Sequence, residues 1–266
     1  MDISPYLKLM VERGASDLFF TVDAPVHIKI EGVTSPVGKT SLPAGTIKTI
    51  LPSLLSKAQL ASFEENSELD TAFTLNDVGR FRINVYMQRG EEAMVIRQIQ
   101  WQTQTVDELG LPSILNELVM ESRGLIIIAG ATGSGKSSTV AAMLDYRNAN
   151  KTGHILTIED PIEFMHKHKK SLVSQREVGL DTKSFSEALR RAMREAPDVI
   201  MIGEIRDEET MKQALAYADT GHLCIATLHA TNTSQTMERM MSFFPDTSRA
   251  QLLMELSLNL RAVVAQ

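Results

Sequence analysis

Gly124-Leu-Ile-Ile-Ile-Ala-Gly130-Ala-Thr-Gly-Ser-Gly-Lys136-Ser137-Ser138 is the stretch from which the fold can be read. Its first half is an uninterrupted apolar run, the pattern of a strand buried on both faces of a parallel sheet. Its second half is G-x-x-x-x-G-K-S, a P-loop in the strand-then-helix context that the motif requires. Gly133 and Gly135 free the backbone to curl so that N–H groups face phosphate oxygens, and the helix that follows adds its partial positive charge. Gly130, Ala131, Thr132, Gly133, Ser134, Gly135, Lys136, Ser137 and Ser138 are thus the candidate cradle for ATP. Lys136 is expected to bridge the β- and γ-phosphates, and Ser137 to offer a hydroxyl to Mg2+.

Outward from this segment, further apolar runs at residues 154–158, 198–202 and 223–228 alternate with helical patterns. Ser184 with Glu187 reads as a capping box, Asp207 as the cap of the next helix and Gly221 as its stop. Strands alternating with helices predict an α/β P-loop domain over residues 123–266 with a mainly parallel sheet. Residues 101–122 read as a linker and helix.

Residues 1–100 read as a separate α+β domain. Ser4-Pro5 predicts a capped helix start, Ser56 with Gln59 a second capping box, and residues 71–99 a strand meander with turns at Asn76-Asp77 and Arg89-Gly90. In the meander Phe81, Ile83, Val85 and Met87 alternate with Arg80, Arg82, Asn84 and Tyr86, which puts arginines on one face.

The chain has 266 residues, 43% hydrophobic and 23% charged, a balance suited to soluble globular domains. A net charge of -6 supplies no electrostatic footprint for nucleic acid. No apolar run reaches the ~20 residues of a membrane span. The N-terminus lacks a basic region followed by an apolar stretch, so a cytoplasmic location is expected. Cys224, the single cysteine, lies among apolar residues and reads as a buried small hydrophobe.

Three more segments bear on catalysis. Asp198-Val-Ile-Met-Ile-Gly203-Glu204 is a strand ending in a carboxylate, with glycine where many P-loop proteins place a magnesium-binding aspartate. Glu204 is then expected to serve Mg2+ through water or to polarise the nucleophile. Glu159-Asp160-Pro-Ile-Glu163 offers three carboxylates that could take a proton from an attacking water. His222 and His229 bracket a core strand, and His229 lies at its C-terminal end, where ligands of open α/β sheets bind. An arginine is also needed to offset transition-state charge. Arg80, Arg82, Arg97, Arg190, Arg194 and Arg206 are all available by type. The run His166 to Lys170 reads as a solvated loop, and Met237, Met240, Met241, Phe243 and Phe244 as helix packing.

These segments together resemble the PilT/PilU family of type IV pilus retraction (twitching motility) ATPases in the secretion ATPase superfamily. The likeness runs through Ala15-Ser-Asp-Leu18, Gly79-Arg-Phe-Arg82, Val95-Ile-Arg97, the P-loop, Ile158-Glu-Asp-Pro-Ile-Glu163-Phe164, Gly203-Glu-Ile-Arg-Asp207, and Thr220-Gly-His222 with Thr227-Leu-His229. In that family Gly-Glu is the usual form at positions 203 and 204. The resemblance implies a PAS-like N-terminal domain, a RecA-like P-loop domain and a homo-hexamer with ATP and Mg2+ between subunits. It also implies Glu163 as general base, Glu204 as the Walker B carboxylate, and Arg82 and Arg97 reaching a nucleotide. The implied partners are a pilus inner-membrane platform protein and a related retraction ATPase, with the chain peripheral at the cytoplasmic face of the inner membrane. The wording of residues 130–137, 168–170 and 222–230 favours the PilU-like, accessory branch. The family's Ala-Ile-Arg-Ala-Gly-Gly-like retraction motif is missing after Ala265, as expected of a fragment.

Three other functions fit a P-loop chain. A pilus-extension or type II secretion ATPase would often carry a four-cysteine zinc insertion, against which one cysteine argues. A nucleotide-binding ring subunit without turnover is disfavoured by the full set of candidate catalytic residues. A small-molecule kinase lacks an evident acceptor site.

Overall fold

The computed structural model describes residues 1–76, 78–99 and 103–266. The turn expected at Asp77 and the start of the linker at Gln100 to Gln102 lie outside the described residues. The chain forms two compact units, Met1–Gln100 and Trp101–Gln266.

In the first unit the elements are α1 (Ser4–Glu12), β1 (Asp17–Phe20), β2 (His27–Ile30), β3 (Val33–Pro36), α2 (Thr46–Ile50), α3 (Lys57–Asn66), β4 (Glu68–Leu75), β5 (Gly79–Gln88) and β6 (Glu91–Ile99). These strands pair antiparallel, in the order β3-β2-β1-β6-β5-β4, with one isolated parallel bridge between Val22 and Leu42. This is the α+β, PAS-like half. Leu7, Met10, Phe20, Ile47, Phe81, Ile83, Val85 and Ile96 form one core, each side chain worth roughly 1.5–3 kcal/mol of burial. The opposite face carries Asp17, which pairs in register with Lys29 on one side and Arg97 on the other, while Arg97 pairs with Arg82. The alternation of β5 breaks at its end: Met87 is exposed, beyond the core and next to the Arg89-Gly90 turn. Both turn residues have positive φ, as a tight hairpin turn requires.

Ser56 and Gln59 form the reciprocal capping box. Ser4 does not cap α1; it is the first helical residue, and its N–H donates to the Asp2 carboxylate at 2.9 Å.

The second unit contains α4 (Ile114–Met120), β7 (Gly124–Ala129), α5 (Lys136–Asn150), β8 (Gly153–Glu159), β9 (Ser171–Glu177), α6 (Phe185–Ala192), β10 (Val199–Ile202), α7 (Glu208–Asp219), β11 (Leu223–Leu228), α8 (Thr233–Ser242), α9 (Arg249–Asn259) and β12 (Leu260–Ala265). Its six strands are all parallel, in the order β12-β7-β11-β10-β8-β9. This is the RecA-like half. The P-loop strand β7 lies inside the sheet, buried along its whole length. One hydrophobic core contains residues of α6, α7 and α9, and the other residues of α4 and α5.

The outer strands β9 and β12 are elements that the sequence pattern did not announce. Each is interrupted by polar or exposed residues, as edge strands are. Ser184 caps α6 through the N–H of Glu187, but Glu187 does not return the bond and pairs instead with Arg191. Asp207 caps α7 through the N–H of Thr210. Cys224 is buried, with its thiol pushed up to about 12. Met240 and Phe244 are core residues, and Met237, Met241 and Phe243 pack against them. No helix among the described residues is long and apolar enough to cross a membrane.

Candidate active site

The carboxyl ends of β7, β8, β10 and β11 point the same way because the strands are parallel, so the segments following them gather on one edge of the sheet. After β7 comes the P-loop. Gly130 fits there because Ser134 folds over it: a Cβ at Gly130 would sit 2.3 Å from Ser134 Oγ. Gly133 and Gly135 take φ of +78° and +100°, where side chains are strained. The helix α5 starts at Lys136 without a side-chain cap, which leaves its first N–H groups available to an anion.

Lys136 is buried at 8% exposure, and its ammonium donates to the carbonyls of Gly130 at 3.0 Å and Ala131 at 2.8 Å. Burial lowers its pKa, and the charges of Glu163 and Glu204 oppose that shift. Both carboxylates are therefore within electrostatic reach of the P-loop lysine.

After β10, Gly203 is gripped on both sides. Its N–H donates to Ile158 O at 2.7 Å, and its carbonyl accepts from the Thr227 hydroxyl. A Cβ at position 203 would lie 3.1 Å from Ile158 O and 3.2 Å from Glu159 Cα. A side chain there would press on the backbone of β8, which is tighter than an ordinary contact and favours glycine at this position. Glu204 has a side chain 15% exposed, hydrogen-bonded by Arg206, with His229 Nε2 at 3.6 Å. Arg206 also approaches Asp160 at 3.6 Å, and its own pKa is raised, chiefly by the bond to Glu204.

After β8 the three carboxylates diverge. Burial pushes the Glu159 carboxyl up to about 7, against hydrogen bonds from Thr157, Gln175 and the backbone of Glu163. Asp160 is exposed beside Arg206, and Glu163 is exposed on the loop. Glu163 is thus the carboxylate of the three that is neither sequestered nor paired with an arginine. Ser137, with a hydroxyl, and Glu204, with a carboxylate, form an oxygen donor set suited to Mg2+ with several retained waters.

His222 is not brought to this edge. It lies at the amino end of β11, and its Nδ1 is 3.3 Å from Tyr217 O and from the Thr220 hydroxyl. In the first unit Arg82 is bonded to Asp70, and Arg97 to Asp17 at 2.8 Å. Arg190 and Arg206, both on the arginine shortlist, are engaged with Glu209 and Glu204. Within the run 166–170, His166 departs from a solvated loop: it is half-buried, and burial pulls its ring down to about 4. Sequence reasoning missed Gln175, whose partners lie on two other segments.

The sequence profile of the family described as type II/IV secretion system protein matches residues 2–266. Type IV pilus ATPase PilU of Pseudomonas aeruginosa is 51% identical, over 100% of this chain and 70% of that protein. Type IV pilus retraction ATPase PilT of the same organism is 42% identical, over 100% and 77%. The crystal structure of the pilus retraction motor PilT with bound ADP superposes with a TM-score of 0.95 at 44% identity, covering 100% of this chain and 78% of that one.

Proposed function

The chain belongs to the type II/IV secretion system proteins, among the PilT/PilU type IV pilus ATPases, and from that premise we propose that it hydrolyses ATP in a homo-hexamer to power pilus retraction. The observation that carries the reading is the P-loop at the carboxyl edge of the parallel sheet, with Lys136 buried and donating to the carbonyls of Gly130 and Ala131, and with the segments that carry Glu163 and Glu204 following β8 and β10 on that same edge. In the proposed reaction Gly130 to Ser138 hold the phosphates through backbone N–H groups, and Lys136 turns from its carbonyls to the β- and γ-phosphates. Ser137, and Glu204 through water, would hold Mg2+, which neutralises phosphate charge when bound. Glu163 takes a proton from water as its oxygen bonds to the γ-phosphorus; the bond to the β–γ bridging oxygen breaks, giving ADP and phosphate. His229, 3.6 Å from Glu204, is assigned to respond to the γ-phosphate. Arg82 and Arg97 are assigned to offset transition-state charge in a neighbouring subunit. On this reading Glu159 and Asp160 position the loop and do not react.

The higher identity to PilU than to PilT favours the accessory retraction role, at the cytoplasmic face of the inner membrane with a platform protein and a related retraction ATPase as partners. Residues 1–100 and 123–266 are assigned to arginine supply and phosphate chemistry respectively, joined by the linker and helix. The test is MgATP hydrolysis by the chain and its Lys136→Ala and Glu163→Gln variants. Loss of nucleotide binding in the first, and a fall in turnover of roughly 100-fold or more with binding retained in the second, is expected. Phosphate release unaffected by either change would refute the assignment.

A further inference from the structure

We propose that Gln175 is a positioning residue that holds the Glu163 loop in its reactive place. The proposal rests on the reading of Glu163 as the base and deepens it.

Glu163 stands on a segment, between β8 and β9, that has no helix or strand of its own. Its side chain is exposed, and among the described residues it accepts no side-chain hydrogen bond. The aim of its carboxylate therefore depends on the backbone. Gln175 lies on the edge strand β9, opposite Thr157 in the parallel register with β8. Its Nε2 donates to Phe164 O at 2.8 Å and to Glu159 Oε1 at 3.2 Å, while its Oε1 accepts from the N–H of His166 at 2.8 Å. One carboxamide thus clips both sides of Met165 and ties the loop to the sheet. Thr157, donating to the same Glu159 oxygen at 2.6 Å, keeps that anchor oriented. On the other side of Glu163, the N–H of Ile162 faces Glu177 at 3.4 Å.

The chemistry of the side chain matters as well as its length. The position needs a donor toward a carbonyl and an acceptor toward an N–H at the same time. A neutral amide supplies both, a carboxylate only the second, and a thioether neither to any useful extent. A base displaced by about 1 Å loses on the order of 100-fold in rate, while nucleotide affinity, set by the P-loop, stays in place.

The experiment is steady-state MgATP hydrolysis by the full chain, wild type against Gln175→Met, Gln175→Glu, Glu163→Gln and the double variant Glu163→Gln/Gln175→Met, with a thermal melt of each. Gln175→Met is expected to lower kcat roughly 10- to 100-fold with KM within about threefold. In the Glu163→Gln background the same change is expected to lower kcat by no more than about twofold, because the group being positioned is already gone. Should Gln175→Met melt early, Gln175→Glu, which keeps the shape and the acceptor, decides by the same split between kcat and KM. An unchanged kcat, a rise in KM alone, or a full multiplicative loss in the double variant would overturn the inference. Glu163→Gln turning over at the wild-type rate would instead remove the reading on which it rests.

Discussion

Arg206 donates to the carboxylate of Glu204 at the end of the β10 segment and reaches toward Asp160 from the same side chain. If Glu204 serves Mg2+ as proposed, the guanidinium and the hydrated ion would compete for one carboxylate. Removing the arginine by Arg206→Gln is expected to lower the Mg2+ concentration that half-saturates nucleotide binding by about three- to tenfold, as a unit charge at a protein surface contributes on the order of 1 kcal/mol. Magnesium titrations of a fluorescent ATP analogue measure this. An unchanged or higher midpoint would remove Glu204 from the magnesium shell.

Gly203→Ala tests why this strand ends in Gly-Glu. The new methyl would meet Ile158 O at 3.1 Å and Glu159 Cα at 3.2 Å, both backbone atoms that cannot swing aside. A loss of roughly 1–3 kcal/mol in stability is expected, with a fall in kcat as Glu204 shifts. Denaturant unfolding and turnover report the two effects. A variant as stable and active as wild type would show that β8 yields.

Glu159 gives a pH signature. Its folded-state carboxyl lies at about 7, above the ordinary 4.5. The fold then binds more protons than the unfolded chain between those values, so this group's contribution falls as pH rises from about 4.5 through 7. Glu159→Gln, which retains a hydrogen-bonding carbonyl, is expected to match wild type near pH 4.5 and to exceed it above pH 7.5 by a few kcal/mol, on the order of the shift. Unfolding midpoints across pH check it. Parallel curves for the two proteins would mean the carboxyl is not desolvated.

Arg82 and Arg97 face solvent across from one another in the antiparallel register, and each is bonded to an aspartate. The exposed Arg82–Asp70 pair contributes about 0–1 kcal/mol, whereas Asp17 is buried, so Arg97 also neutralises a desolvated carboxylate. Arg82→Gln/Arg97→Gln is expected to lower stability by up to about 3–5 kcal/mol, mostly through the buried Asp17, and turnover by roughly 100-fold or more. Melting and phosphate release separate the effects. Equal turnover would return both residues to a structural role.

The P-loop and the parallel core could be read because their signals are local: an apolar run, glycines at fixed spacing, and a lysine and serine at the helix start. Only the family resemblance singled out Glu163; the spacing of Glu159, Asp160 and Glu163 could not rank them, since what separates them is desolvation of one, the Arg206 pairing of another and the exposure of the third. Gln175 was silent for a related reason: its partners depend on the register between β8 and β9 and on a loop that returns to it. The glycine at 203 could be recognised as a departure, but the tight space around it is set by the backbone of a different strand. Edge strand β9 carries mixed polarity and so lacks the pattern that disclosed the inner four, while β12, apolar but for Arg261, follows α9 directly and offers no turn signal to set it apart.

The most direct measurement is the rate of MgATP hydrolysis per chain as a function of protein concentration, with sizing at each point. Turnover is expected to rise steeply with concentration if, as proposed, a ring assembles and the arginines of one subunit complete the site of the next. A constant, non-zero rate down to concentrations where the protein is monomeric would contradict it, because the site would then be complete within one chain.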